Sequence, residues 1–188
     1  MKINPIIILL LLGLVACAPE EKQPALNQYF DLDTFVKKQI AQLNSLHPVV
    51  EKKVSAGQQE ETKQLTAINW GKELDLFLQA DLNKSAYRNS YLIEKPTARS
   101  FIYRAKPGED IPVKYLKIEL DSLEGRLENV EAVITSENYL YHSEKKLSLH
   151  CALDTQGQWL VNQYHVSGFQ RLAFFAKKPF DVQGKVFF

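Results

Sequence analysis

The sequence predicts an α+β domain, with two amphipathic helices packed on one face of an antiparallel meander sheet of about five to eight strands. Helical-period apolar stripes are confined to residues 31–80, whereas from Ser100 onward apolar and polar residues alternate between turn signals. Those turns are too short for the crossover that parallel strands need, so consecutive strands must be antiparallel.

In chain order, residues 18–28 carry Pro19, Pro24, Glu20 and Glu21 without periodicity, the composition of a tether. Leu32, Phe35, Val36, Ile40, Leu43 and Leu46 then form a helical stripe, with Asp31 placed to cap its start and Pro48 just beyond its end. His47 adds a cation where the helix dipole favours one. Residues 49–56 and 60–66 flank the turn signal Ala56, Gly57 and Gln58 and predict a short polar hairpin. Asn69 can cap a second helix that carries Trp70, Leu74, Phe77 and Leu78 on one face to about Ala80, and residues 81–91 lead out of it.

Strands are expected over residues 100–106, 113–121, 127–136, 139–154 (or from 141), 158–172 and 182–188. Leu116, Ile118 and Leu120 alternate with Lys117, Glu119 and Asp121, so one sheet face should be buried and the other polar. A hairpin turning near Gln156 places Leu149, Cys151, Leu153, Trp159 and Val161 together on the buried face. His150, Asn162 and Tyr164 then point the other way, and His165 falls on the face of Cys151.

The 188 residues include 23 Lys plus Arg against 22 Asp plus Glu, with 45% hydrophobic and 24% charged side chains. That composition suits one globular domain. It lacks the basic footprint that phosphate neutralisation requires, so nucleic acid is excluded as a partner.

The N-terminus specifies an address. Lys2 precedes an apolar run from Ile6 to Leu12, followed by Gly13, Leu14, Val15 and Ala16, which is the layout of an export signal. The run is too short to cross a bilayer, which needs roughly twenty apolar residues. Leu14, Val15, Ala16 and Cys17 resemble the lipobox of bacterial lipoproteins. The resemblance covers residues 1–20; beyond them the chain resembles no characterised family. It implies cleavage between Ala16 and Cys17, a diacylglycerol on the Cys17 thiol and an N-acyl lipid on the new amine. These lipids are covalent, and no other cofactor is expected. Ala18 stands where enteric lipoproteins retained at the inner membrane carry aspartate, which implies outer-membrane sorting. Glu20 and Glu21 resemble a cell-surface export patch, and the membrane face stays open. Two or three acyl chains anchor firmly where one holds only marginally. The resulting organisation is a signal peptide over 1–16, a lipidated tether over 17–28 and a single domain over 29–188.

Loss of Lys2 with the leader equalises basic and acidic side chains, which argues against capture of any polyion. With Cys17 lipidated, Cys151 has no intrachain partner and the fold must rest on its core. Cys151 lies in the period-two apolar row Leu147, Leu149, Cys151 and Leu153, which reads as a buried small hydrophobe rather than a nucleophile. His47, His142, His150 and His165 invite a metal site, but the expected register separates His150 from His165, and none is expected. The carboxylate pairs Asp31/Asp33 and Glu60/Glu61 sit at a helix start and a turn, where polar residues belong anyway. No nucleophile-elbow, zinc-protease, phosphate-loop or dinucleotide motif occurs, so no enzyme activity is expected. Phe180, Val182, Gly184, Val186 and Phe188 resemble the last strand of outer-membrane barrels, yet Lys114, Lys117, Lys145 and Lys146 leave few apolar outer faces.

The expected function is therefore that of an outer-membrane-anchored lipoprotein with a non-catalytic binding or envelope-scaffolding domain. Its sharper form is a hydrophobic ligand held between sheet and helices. The alternatives are a surface module for an envelope protein and, further off, a hydrolase.

Overall fold

The computed structural model describes residues 28–188. The export signal, Ala16, Cys17 and nearly all of the tether lie outside the described residues.

In chain order the elements are α1 (Leu32–Leu46), β1 (Val49–Ala56), β2 (Gln59–Leu65), α2 (Trp70–Glu73), α3 (Asp75–Gln79), a 3-10 turn (Ser85–Tyr87), β3 (Tyr91–Thr97), β4 (Ser100–Ala105), β5 (Val113–Leu120), β6 (Leu127–Asn138), β7 (Tyr141–Leu153), β8 (Trp159–Leu172) and β9 (Lys178–Phe187). One antiparallel sheet takes all nine strands in the order β2-β1-β9-β8-β7-β6-β5-β4-β3. From β3 to β9 it is a meander; the β1–β2 hairpin then adds to the far side of β9.

The expected α+β arrangement, two helices packed on a sheet of five to eight strands, is overturned. Among the described residues the structure is mostly β, with nine strands and 17% of the residues helical. The second amphipathic helix does not persist. Asn69 caps its start by accepting from Lys72 N at 3.0 Å, but the chain breaks at Leu74 (φ −99°, ψ 8°) into pieces of four and five residues. One strand was not expected: β3 forms just beyond the lead-out over 81–91, in a stretch to which no element was assigned, with Pro96 tolerated because β3 is an edge. The 49–66 hairpin does form, but β1 pairs along its whole length with β9, for example Val50 opposite Val186, and so joins the main sheet.

α1 follows its signals. Asp31 accepts from Thr34 N at 3.0 Å, and His47 ends the helix in the left-handed region (φ 49°) with its N–H bonded to Leu43 O. Leu32, Val36 and Leu43 are fully buried and belong to one contiguous core with Val50, Leu116, Ile118, Leu149, Cys151 and Val161. The open edges carry Glu60, Glu61 and Lys63 on β2 and Glu94, Lys95 and Pro96 on β3, residues that discourage further strand pairing. β9 is an interior strand, and the sheet is open, so the barrel-like sequence ending does not close a barrel among the described residues.

Candidate functional site: a polar trough on the outer sheet face

The alternation expected in β5 holds as far as Ile118, with Leu116 and Ile118 fully buried and Lys117 turned outward. The β7–β8 hairpin departs from its expected register. Leu153 lies opposite Trp159, Ala152 opposite Leu160 and Cys151 opposite Val161, as the turn predicts. The next residue, His150, faces Gln163, so Asn162 is one extra residue and makes a bulge. One residue of slip exchanges the faces of everything beyond it. Tyr164 therefore points into the core, 3% exposed, and His165 points out. The expectation that Tyr164 faces outward and that His150 and His165 lie on opposite faces is corrected on this ground. Leu153 is corrected as well, because it lies half-exposed near the hairpin end. Leu149, Cys151 and Val161 are buried, and Trp159 packs partly against the core.

Gln39 explains how the bulged strand is tolerated. Before Gln163, residues 159–162 of β8 have no paired residue on the β9 side, and an unpaired buried backbone group is costly. From α1, Gln39 donates to Trp159 O at 3.1 Å and accepts from Val161 N at 2.8 Å. A helix side chain stands in for a strand.

On the outer face a trough of about 330 Å³ crosses four strands. Its polar lining is Asn129 and Glu131 from β6, Ser148 and His150 from β7, Gln163 and His165 from β8, and Gln183 and Lys185 from β9. The trough continues towards β5 as a hollow of about 230 Å³ reached by Tyr115, Lys146 and Ser167. Both histidine rings are held: His150 Nδ1 lies 2.8 Å from Asn162 Oδ1, and His165 Nε2 lies 2.7 Å from Asp181 Oδ2. Burial pushes the Asp181 carboxyl up, but hydrogen bonds from His165 and Gln183 and the charges of His165 and Lys53 outweigh it, leaving it below the usual carboxylate range.

Acceptors, amides and the Lys185 ammonium thus project from rigid strands into a half-enclosed space, a setting suited to reading hydroxyls, amides and charges on a ligand. Sequence reasoning missed this assembly because it followed one unbroken alternation through β8. The signal was present: apolar residues run Trp159 and Val161, then Tyr164 and Val166, a change of phase that marks the bulge.

The other expected residues are dispersed. Cys151 is a free thiol, fully buried on the inner face, and burial pushes its pKa far up, away from nucleophilic use. His47 is the cap of α1, and His142 stacks on Phe169 at 5.3 Å. Asp31 and Asp33 stay at the start of α1; Glu60 and Glu61 pair with Lys53 and Lys63 on the β1–β2 hairpin. Among the described residues no group of three or more His, Cys, Asp or Glu is placed to hold a metal ion. Ser148 lies directly across from His165, but no hydrogen bond joins them, and the His165 Nε2 is taken by Asp181. An apolar hollow beside Phe30, Ile93, Phe101 and Tyr103 has about 250 Å³, below the roughly 300 Å³ at which small-molecule pockets begin.

No helix among the described residues is long and apolar enough to cross a membrane. Compared with protein-family models, with curated proteins and with solved structures, the chain matches none significantly.

Proposed function

We propose that this chain is a lipoprotein anchored through Cys17 in the outer membrane, and that its domain is a non-catalytic binding module whose ligand lies in the outer-face trough. The ligand is polar, a segment of an envelope polymer or envelope protein rather than an acyl chain. One observation carries this reading: the four-strand trough presents eight hydrogen-bonding or charged side chains, whereas the inner face of the sheet packs fully buried apolar side chains such as Leu116, Ile118 and Cys151. The hydrophobic-ligand form of the function loses its favoured place for that reason.

The test is a titration of the isotopically labelled mature chain, with Cys17→Ser to keep it soluble, against soluble peptidoglycan fragments and core oligosaccharides, followed by NMR. Saturable shifts centred on Ser148, Gln163 and Gln183, weakened about tenfold or more by Gln163→Ala combined with Gln183→Ala, are expected if two good hydrogen bonds are lost. Shifts confined to other surfaces would contradict the placement of the ligand.

A further inference from the structure

The end of the sheet formed by the β6–β7 and β8–β9 turns carries apolar side chains that the core does not use. Tyr139, Leu140, Leu172, Phe174 and Phe175 are all exposed, Tyr139 at 90% and Phe174 completely. The two tips are one surface: Leu172 lies opposite Tyr141, and Ala173 N donates to Leu140 O at 2.8 Å. Phe174 has φ 67°, a left-handed conformation uncommon and strained for a bulky residue. Its backbone belongs to the β8–β9 turn, in which Phe175 N donates to Leu172 O at 3.1 Å, but the ring itself covers no part of the described domain.

The charge around the tips is positive. Arg171, Lys177 and Lys178 flank the aromatic residues, against Glu137, which lies 3.4 Å from His142. Exposed aromatic rings bordered by Lys and Arg match the bilayer interface, where rings sit at headgroup depth and cations meet lipid phosphates. The opposite end also exposes Leu123, Leu153, Phe187 and Phe188, but its turns are acidic: Asp121 and Glu124 pair with Arg126 in one, and Asp154 closes the other.

The course of the chain agrees. Antiparallel pairing puts Tyr91, the first residue of β3, at the same end of the sheet as the tips. Gln28 donates to Asn89 at 3.1 Å, two residues before β3, and Asn83 clamps Tyr29 and Phe30 through their backbone groups. The tether therefore leaves from the end that carries the tips, and the twelve residues from Cys17 to Gln28, eleven steps of chain, can span at most about 40 Å. That last argument rests on anchoring at Cys17; exposure, strain and charge do not.

We infer that the β6–β7 and β8–β9 tips dock on an anionic phospholipid bilayer, inserting Tyr139, Phe174 and Phe175 at headgroup depth beneath Lys177 and Lys178. The trough then opens along the side of a domain that stands on its membrane, held upright rather than tumbling on a leash.

Co-flotation with vesicles tests this on the mature chain carrying Cys17→Ser, so that no acyl chain contributes and failure of anchoring cannot mimic failure of docking. Flotation is expected with phosphatidylethanolamine and phosphatidylglycerol vesicles, with weaker flotation on phosphatidylcholine alone and at high salt. Phe174→Ser with Phe175→Ser should lower partitioning about tenfold or more, and Lys177→Gln or Lys178→Gln about fivefold each. Leu123→Ser, at the other end, should leave it unchanged, and thermal unfolding of every variant should stay at the parent midpoint. Absence of flotation by the parent chain overturns the proposal and leaves a protein as the occupant of the tips. Equal flotation by the Phe174→Ser/Phe175→Ser and Leu123→Ser variants overturns it too.

Discussion

Gly184 shows how a single residue can set the shape of the inner face. A Cβ built there would sit 2.1 Å from Tyr164 Cζ, because the ring of its cross-strand partner Tyr164 lies flat over the glycine. The ring is held by its hydroxyl, which donates to Glu73 Oε1 at 2.6 Å, and Glu73 in turn pairs with Lys52 at 2.7 Å. Burial, followed by the Glu73 hydrogen bond, drives the phenol far above its usual pKa, so the hydroxyl stays a donor at any ordinary pH. Gly184→Ala should therefore destabilise by about 1–3 kcal/mol through overpacking, measured by urea unfolding. Gln39 acts at the same scale. Gln39→Leu keeps the helix and strips Val161 N and Trp159 O of their partners, for an expected loss of about 1–3 kcal/mol, whereas Lys38→Leu on the exposed face of the same helix should stay within about 0.5 kcal/mol. Equal effects would mean that Gln39 does not complete the β8 ladder.

Among the elements, the β7–β8 hairpin decides the site. Inserting one alanine between His150 and Cys151 gives Asn162 a partner, removes the bulge and turns Leu149, Tyr164 and Val166 towards water, with about 1.5–3 kcal/mol at stake for each large side chain. The variant should lose its cooperative transition in chemical unfolding or unfold at much lower denaturant; unchanged stability would show that the bulge is not what sets the faces. Much of this level was legible. The cap and stripe of α1, the Gly57 turn and the strand boundaries from Ser100 onward are local signals, written within a few residues of where they act. What stayed hidden depends on distant partners. The bulge at Asn162 pays off only because Gln39 reaches it from a helix 120 residues earlier. β3, with exposed Leu92 and Ile93 and an interior proline, carries no strand signature of its own and is ordered by pairing with β4. The second helix was misread in extent because its stripe continues through Leu74 although its backbone does not. The trough was invisible for the same reason as the bulge, since its eight polar residues come from four strands and read singly as ordinary outward positions.

For the whole molecule, a nine-stranded sheet turns a polar trough outward and carries an exposed aromatic end. The proposed anchor decides whether that arrangement has a membrane to stand on. Two or three acyl chains on Cys17 would hold a domain that carries no spanning helix among its described residues, and they would place the trough within the envelope, where polar polymers are its available ligands. The most direct measurement is metabolic labelling of the full chain with palmitate in a Gram-negative host, followed by separation of membrane and soluble fractions. The account predicts a labelled protein in the outer-membrane fraction and, for Cys17→Ala, loss of the label together with loss of that location. A label that survives Cys17→Ala, or unlabelled parent protein released into the soluble periplasm, would contradict it.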